Sequence, residues 1–195
     1  FIDLEELINK ELLTKEECEA CDWGGSESYV DYEKIYLSRY KLLRKAYEKA
    51  DLKTDPDYAE FLKEEKDWLQ DYCLFMAIKN DQKGICWIDW PEELKDRHSK
   101  AVKEAEKELA EEIEFYRFQQ YCFTTQWRKL KAYANKKDIS IIGDVPIYVA
   151  LDSSDAWANP EMLQFDEDYD PKAVAGCPPD AFSATGQLWG NPLYD

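Results

Sequence analysis

Apolar side chains recur at helical intervals through the first 137 residues, and the pattern then gives way to short extended runs and turns. Leu4, Leu7, Ile8, Leu12 and Leu13 keep helical spacing until Gly24-Gly25 interrupts the chain. Tyr32, Tyr36, Tyr40, Leu43 and Tyr47 then follow at i, i+4, i+8, i+11 and i+15, a stripe that one helix face would bury. Asp55-Pro56 opens the next helix with a capping carboxylate and a proline at the first helical position. Its apolar face is expected to run through Phe61, Trp68, Leu69, Tyr72, Phe75 and Met76. After Gly84, Trp90-Pro91 begins a helical stretch reaching Lys137. Its Lys100–Glu112 part is mostly Ala, Glu and Lys, an exposed face, whereas Phe115, Tyr116, Phe118, Tyr121, Phe123, Trp127 and Tyr133 read as core. A single helix of roughly 45 residues is unusual outside a coiled coil, so a break is expected within it.

From Ile139 onward the pattern is different. Ile139-Ser140-Ile141-Ile142 is a β-branched run bounded by Gly143, and it reads as a buried strand of a parallel sheet. Pro146 cannot donate to a ladder, so regular pairing should end near Asp144. A helix leading into a buried strand is the unit of an α/β fold. The expected organisation is therefore a mainly helical part, residues 1–137, followed by a strand and long loops over 138–195. The last 50 residues hold six of the eight prolines, and stiff loops of this length are usually functional.

Composition narrows the classes. Hydrophobic residues at 45% and aromatics at 14% exclude a disordered chain. Twenty-five basic against 42 acidic residues leave a net charge of −17, which argues against nucleic acid or an anionic membrane as partner. No apolar run approaches the roughly 18 to 20 residues that span a bilayer. The cysteine usage, six residues in a chain rich in Lys, Glu and helix formers, fits a cytoplasmic protein better than a disulfide scaffold. Cys18-Glu19-Ala20-Cys21 has the spacing of half a zinc site or a redox pair. No second close pair follows and His98 is the only histidine, so both thiols are expected to be structural, with no metal centre. His98 itself lies in the polar run Lys95–Lys100 and reads as a solvated helix position. Phe1 in place of Met and a turn-rich, aromatic C-terminus suggest a piece of a longer polypeptide.

Candidate chemistry concentrates between Gly176 and Pro192. This segment lacks a cation and a glycine-rich helix start for phosphate, but it combines Phe182 and Trp189 with Asp180, Gln187 and Asn191. Sugars need such a set: aromatic rings for their C–H faces, amides and carboxylates for their hydroxyls. The plainer alternative is a Pro/Gly-stiffened surface loop whose Trp189 caps the core. Asp144 stands where the expected strand ends, the position at which α/β barrels collect functional residues. Equally, it could cap the following turn.

Three blocks are similar to one known family: Gly143-Asp144-Val145-Pro146-Ile147-Tyr148-Val149-Ala150, Asp152-Ser153-Ser154-Asp155-Ala156-Trp157-Ala158-Asn159-Pro160, and Ala175 to Tyr194. They resemble the bacterial 4-alpha-glucanotransferases, the amylomaltases or disproportionating enzymes of glycoside hydrolase family 77. Phe1-Ile2-Asp3-Leu4, Trp68-Leu69-Gln70-Asp71-Tyr72 through Lys79, and Phe118 to Asn135 extend the resemblance over nearly the whole chain.

The resemblance implies an α/β fold, the N-terminal part of a (β/α)8 TIM barrel with a large helical insertion. It places Asp144 at the end of the third barrel strand, near the sugar bound on the donor side. It places Gln187 and Trp189 along the glucan cleft, and Asp180, Ala181 and Phe182 in a loop reaching over the acceptor side. Position 181 is often Tyr in the family, so Ala181 puts a phenol contact there in doubt. The family's nucleophilic aspartate, acid/base glutamate and third aspartate come from later strands, beyond Asp195, and no Arg-x-Asp-His motif occurs here. The implied activity transfers α-1,4-glucan segments between maltooligosaccharides, without metal or organic cofactor. A chain without those carboxylates could also act as a glucan-binding or scaffold piece.

Overall fold

The structure, a computed structural model, describes residues 1–26 and 28–195. Its elements are α1 (Leu4–Asn9), α2 (Lys15–Glu19), α3 (Tyr32–Lys49), α4 (Pro56–Glu64), α5 (Lys66–Asp81), α6 (Glu92–Lys95), α7 (Lys100–Glu108), α8 (Ala110–Asn135) and α9 (Ser154–Ala158), followed by β1 (Val174–Cys177) and β2 (Gln187–Pro192). The chain forms two compact units, Phe1–Glu65 with Phe115–Ile141, and Lys66–Glu114 with Ile142–Asp195.

In the first unit, helix starts follow from local side-chain chemistry. Asp3 accepts from the Glu5 N–H, and Asp31 from that of Lys34. Thr14 and Glu17 satisfy each other's backbone in a capping box. Asp55 caps α4 through the N–H groups of Asp57 and Tyr58, with Pro56 at the first turn as expected. Its second oxygen accepts from Tyr121 Oη at 2.8 Å. Burial, and the Asp55 carboxylate beside it, hold the Tyr121 phenol well above its ordinary ionisation range. The core gathers Leu7, Leu13, Leu42, Ala46, Phe115, Phe118 and Cys122, with Cys18, Cys21 and Trp23 packed against it. Cys21 donates its thiol to the Glu17 carbonyl, and Trp23 Nε1 donates to that of Cys18. Both cysteines are thus part of the local structure, and neither is bridged.

Two helical stripes are buried over only part of their length. On α3, Leu43 is buried and Tyr40 and Tyr47 are half-buried, whereas Tyr32 and Tyr36 are exposed beside an open groove of about 570 Å³ that they share with Phe1 and Arg39. On α8, Phe115, Tyr116, Phe118 and Tyr121 are buried, but Phe123, Trp127 and Tyr133 are exposed along a second groove of about 590 Å³. Periodicity names the apolar face of a helix; whether another element covers that face is a separate, tertiary fact.

The second unit is built on α5, which buries Leu69, Cys73, Leu74, Phe75, Ala77 and Ile78. The buried Trp90 and Trp157 lie against it, and a third buried tryptophan, Trp87, packs on Phe165 and Tyr169. Phe75 meets Trp90 and Trp157 at ring separations of 5.4 and 5.8 Å. Each indole N–H finds a backbone carbonyl: Trp87 that of Leu151, Trp90 that of Ile85 and Trp157 that of Leu94. This satisfies the one polar atom each buries. Arg97 pairs with Asp71 and lays its guanidinium 5.5 Å from the Trp157 ring. Lys79 pairs with Asp152 just ahead of α9. The stretch from Trp90 to Lys137 breaks into α6, α7 and α8, with Ser99 capping α7. His98 is exposed, as expected, but occupies the turn between α6 and α7 rather than a helix.

The C-terminal 57 residues differ from expectation in two respects. Ile139–Ile142, expected as a buried strand, belongs to an extended segment without ladder partners, and Ile142, Val145 and Ile147 are 92%, 81% and 72% exposed. A parallel strand is buried only when neighbouring strands flank it. Among the described residues the only sheet is the antiparallel pair β1–β2, whose two strands hydrogen-bond to each other. Conversely, part of the segment expected to be a stiffened loop is that very sheet. Cys177 pairs with Gln187 and Gly176 with Leu188. Residues 162–165 extend the layer: Gln164 N–H donates to the Leu193 carbonyl and Asp195 N–H to that of Met162. No helix among the described residues is long and apolar enough to cross a membrane.

Candidate functional site

Gln187, Trp189 and Asn191 project from β2, where successive side chains alternate between the two faces. Gln187 and Trp189 therefore share a side, and Trp189 Nε1 donates to Gln187 Oε1 at 2.9 Å. Beyond Trp189 the strand bulges: Val174 to Gly176 on β1 lies opposite Leu188 to Pro192 on β2. Gly190 sits in the bulge at φ +79°, a conformation that costs other residues a steric penalty. The bulge redirects Asn191, which is half-buried and donates Nδ2 to the Val149 carbonyl at 2.9 Å.

That hydrogen bond joins the hairpin to the segment carrying Tyr148. The Tyr148 ring lies 6.3 Å from the Trp189 ring and stacks on Tyr194 at 6.0 Å. Trp189 and Tyr194 are 47% and 42% exposed, so this aromatic row faces solvent. Tyr148 and Tyr194 were not among the site residues that sequence reasoning selected. The available signal was their presence in the two blocks, Gly143–Ala150 and Ala175–Tyr194, that the bulged hairpin brings together.

Asp180 and Phe182 stand in the loop between the strands. Asp180 Oδ1 accepts from the N–H groups of Phe182 and Ser183, both at 2.8 Å, and Ser183 Oγ donates to the Gly186 carbonyl. This internal bonding shapes the loop and leaves the Phe182 ring 96% exposed. Gly186 closes it at φ +74°, where a Cβ would lie 2.6 Å from the Cys177 carbonyl oxygen. Asp144 is exposed, and its Oδ1 accepts from the N–H of the next residue, Val145, at 2.9 Å. Structure thus groups Gln187, Trp189 and Asn191 with Tyr148 and Tyr194, puts Asp180 and Phe182 in the adjoining loop, and leaves Asp144 on the approach to Tyr148.

The hairpin face combines ring surface with hydrogen-bonding side chains and little positive charge. Half-exposed rings supply apolar faces, amides and carboxylates supply polar contacts, and Lys172 is the only basic residue after residue 139. Among the described residues no group of three His, Cys, Asp or Glu side chains could hold a metal ion.

A family model for glycoside hydrolase family 77, described as 4-alpha-glucanotransferase, matches residues 1–195, and the chain belongs to that family. It is 47% identical over 196 residues to a 4-alpha-glucanotransferase of Clostridium butyricum, covering all of this chain and 40% of that protein. It is 46% identical over 177 residues to one of Thermus thermophilus, covering 89% of this chain and 35% of the relative. Among solved structures, the amylomaltase from Streptococcus agalactiae in complex with acarbose superposes with a TM-score of 0.92 at 37% identity, over 100% of this chain and 40% of the other. The chain spans about 40% of the length of the first of these curated relatives.

Proposed function

We propose that the chain is part of a cytoplasmic 4-alpha-glucanotransferase that moves α-1,4-glucan segments from one maltooligosaccharide to another, and that it supplies substrate-binding surface. Residues 1–137 contribute a helical insertion and barrel helices; residues 138–195 contribute a barrel strand and cleft loops of a (β/α)8 barrel. The exposed Ile139–Ile147 run is then a strand that needs neighbours from further along a longer protein. Asp144, Asp180, Phe182, Gln187, Trp189 and Asn191 belong to the cleft, and the catalytic carboxylates follow Asp195.

The reaction is a retaining double displacement. A carboxylate attacks the anomeric carbon while a carboxylic acid about 5 to 5.5 Å away protonates the leaving oxygen. A 4-hydroxyl of a second glucan, in place of water, then attacks the covalent intermediate. Transfer outpaces hydrolysis when the cleft orients the acceptor and leaves water poorly placed. The Pro178-Pro179 pair and the Asp180 turn stiffen the loop in advance and lower the ordering cost of acceptor binding. No step requires a metal or organic cofactor.

The observation carrying this reading is the family match over the whole chain, joined to a half-exposed indole at Trp189 whose N–H is held by a neighbouring side chain. Maltotriose disproportionation tests it. The full-length protein should release glucose and longer maltooligosaccharides, and the 195-residue chain should release none. Hydrolysis without transfer, or no action on maltotriose by the full-length protein, would refute it.

A further inference from the structure

Tyr148 makes ring contacts with both half-exposed aromatics of the hairpin face, and its surroundings are held from both sides. Its ring meets Trp189 at an interplanar angle of 53° and lies nearly parallel to Tyr194 at 20°. Asn191 Nδ2 clamps the carbonyl of Val149, the residue after Tyr148, and Gln164 Nε2 clamps the carbonyl of Tyr194. The segment leading to Tyr148 has no ladder of its own, so the Asn191 clamp is a fixed point for it. The Trp189 indole has two restraints: Gln187 Oε1 on its N–H, and the Tyr148 ring beside it. An aromatic face binds a sugar well when it is held in place beforehand, because ordering one loose side chain on binding costs about two- to tenfold in affinity.

We propose that Tyr148 is a positioning residue: its ring, stacked on Tyr194 and clamped through Val149, holds the Trp189 indole in the orientation that receives a glucan. This rests on the reading of Trp189 as a cleft residue. The contacts are between rings, so the phenol hydroxyl is dispensable. Asn191 acts in the same device, through the backbone rather than through substrate.

The test is maltotriose disproportionation kinetics in the full-length protein, comparing Tyr148→Leu, Tyr148→Phe, Asn191→Ala and Trp189→Ala, and combining each of the first three with Trp189→Ala. Tyr148→Leu and Asn191→Ala should each raise KM about three- to tenfold while kcat changes less than about twofold. Tyr148→Phe should recover most of the KM lost in Tyr148→Leu. In the Trp189→Ala background neither Tyr148→Leu nor Asn191→Ala should add to the defect, because the side chain they position is gone. A KM rise from Tyr148→Leu that persists in full in that background overturns the proposal, and so does an unchanged KM in Tyr148→Leu when Trp189→Ala alone raises it. An unchanged KM in Trp189→Ala itself removes the cleft reading and the positioning role together. Asn191→Ala retains all three ring side chains and removes only the clamp, so it decides the matter should Tyr148→Leu fail to fold.

Discussion

Trp157 and Trp189 lie in the same compact unit, and each donates its indole N–H at about 3 Å, yet their surroundings are opposite. Trp157 is fully buried, hydrogen-bonded to the backbone carbonyl of Leu94 and packed among Phe75, Trp90 and Arg97. Trp189 is half-exposed and its acceptor, Gln187, is itself an exposed side chain. A backbone acceptor inside a core cannot be exchanged, whereas a solvent-facing amide can trade its partner for a ligand hydroxyl at little cost. The contrast therefore separates a tryptophan that maintains the fold from one available for recognition.

The largest effect should come from breaking the buried side of the comparison. Trp157→Ala should destabilise the protein by about 3 to 5 kcal/mol, read as a lower denaturation midpoint, because it opens a cavity and strands the Leu94 carbonyl. Next comes the exposed side. In the full-length protein, Trp189→Ala should leave stability within about 1 kcal/mol of wild type but raise KM for maltotriose roughly tenfold, equivalent to about 1.4 kcal/mol of lost binding. A variant that melts like Trp157→Ala would place Trp189 in the core instead.

A smaller effect is expected at the bulge that aims β2. Gly190→Ala should cost about 1 kcal/mol, since φ +79° penalises a Cβ even though nothing lies within 4 Å of one. An unfolding curve indistinguishable from wild type would show that the bulge imposes no strain. The smallest concerns a half-buried charge, Glu17. The Thr14 N–H, followed by Lys45 and Lys49, holds the Glu17 carboxyl below its ordinary value. Its stabilisation is fully present above about pH 4.5 and is lost as pH falls through the lowered folded value. Glu17→Gln should therefore be slightly less stable than wild type near neutrality, the difference closing as pH falls through that window. Measuring unfolding midpoints against pH checks this, and a steeper acid dependence in the variant would contradict it.

Local chemistry made part of the fold legible in the sequence. The Asp55-Pro56 start and the break between Trp90 and Lys137 follow from caps and length and form as expected, whereas the one helix expected after Asp55 is two, α4 and α5, and its expected face is buried at Phe61, Leu69 and Phe75 but exposed at Trp68. What failed was inference from pattern to burial. Tyr32, Tyr36, Trp127 and Ile142 all stand at positions that periodicity or β-branching marks as interior, and all are exposed. Burial depends on a covering element distant in sequence, and no local pattern encodes it. At the candidate site, sequence singled out Gln187, Trp189 and Asn191, but it missed Tyr148. The contact between residues 148 and 189 exists because a two-stranded hairpin forms, bulges at Gly190 and ties Asn191 to Val149. None of those steps is visible as a motif.

The most direct measurement is fluorine NMR of the full-length protein labelled with 5-fluorotryptophan, each resonance assigned by single Trp→Phe substitution, during a maltotetraose titration. The Trp189 resonance should shift saturably while those of Trp87, Trp90 and Trp157 stay in place. A saturable shift at the buried tryptophans with none at Trp189 would contradict the account.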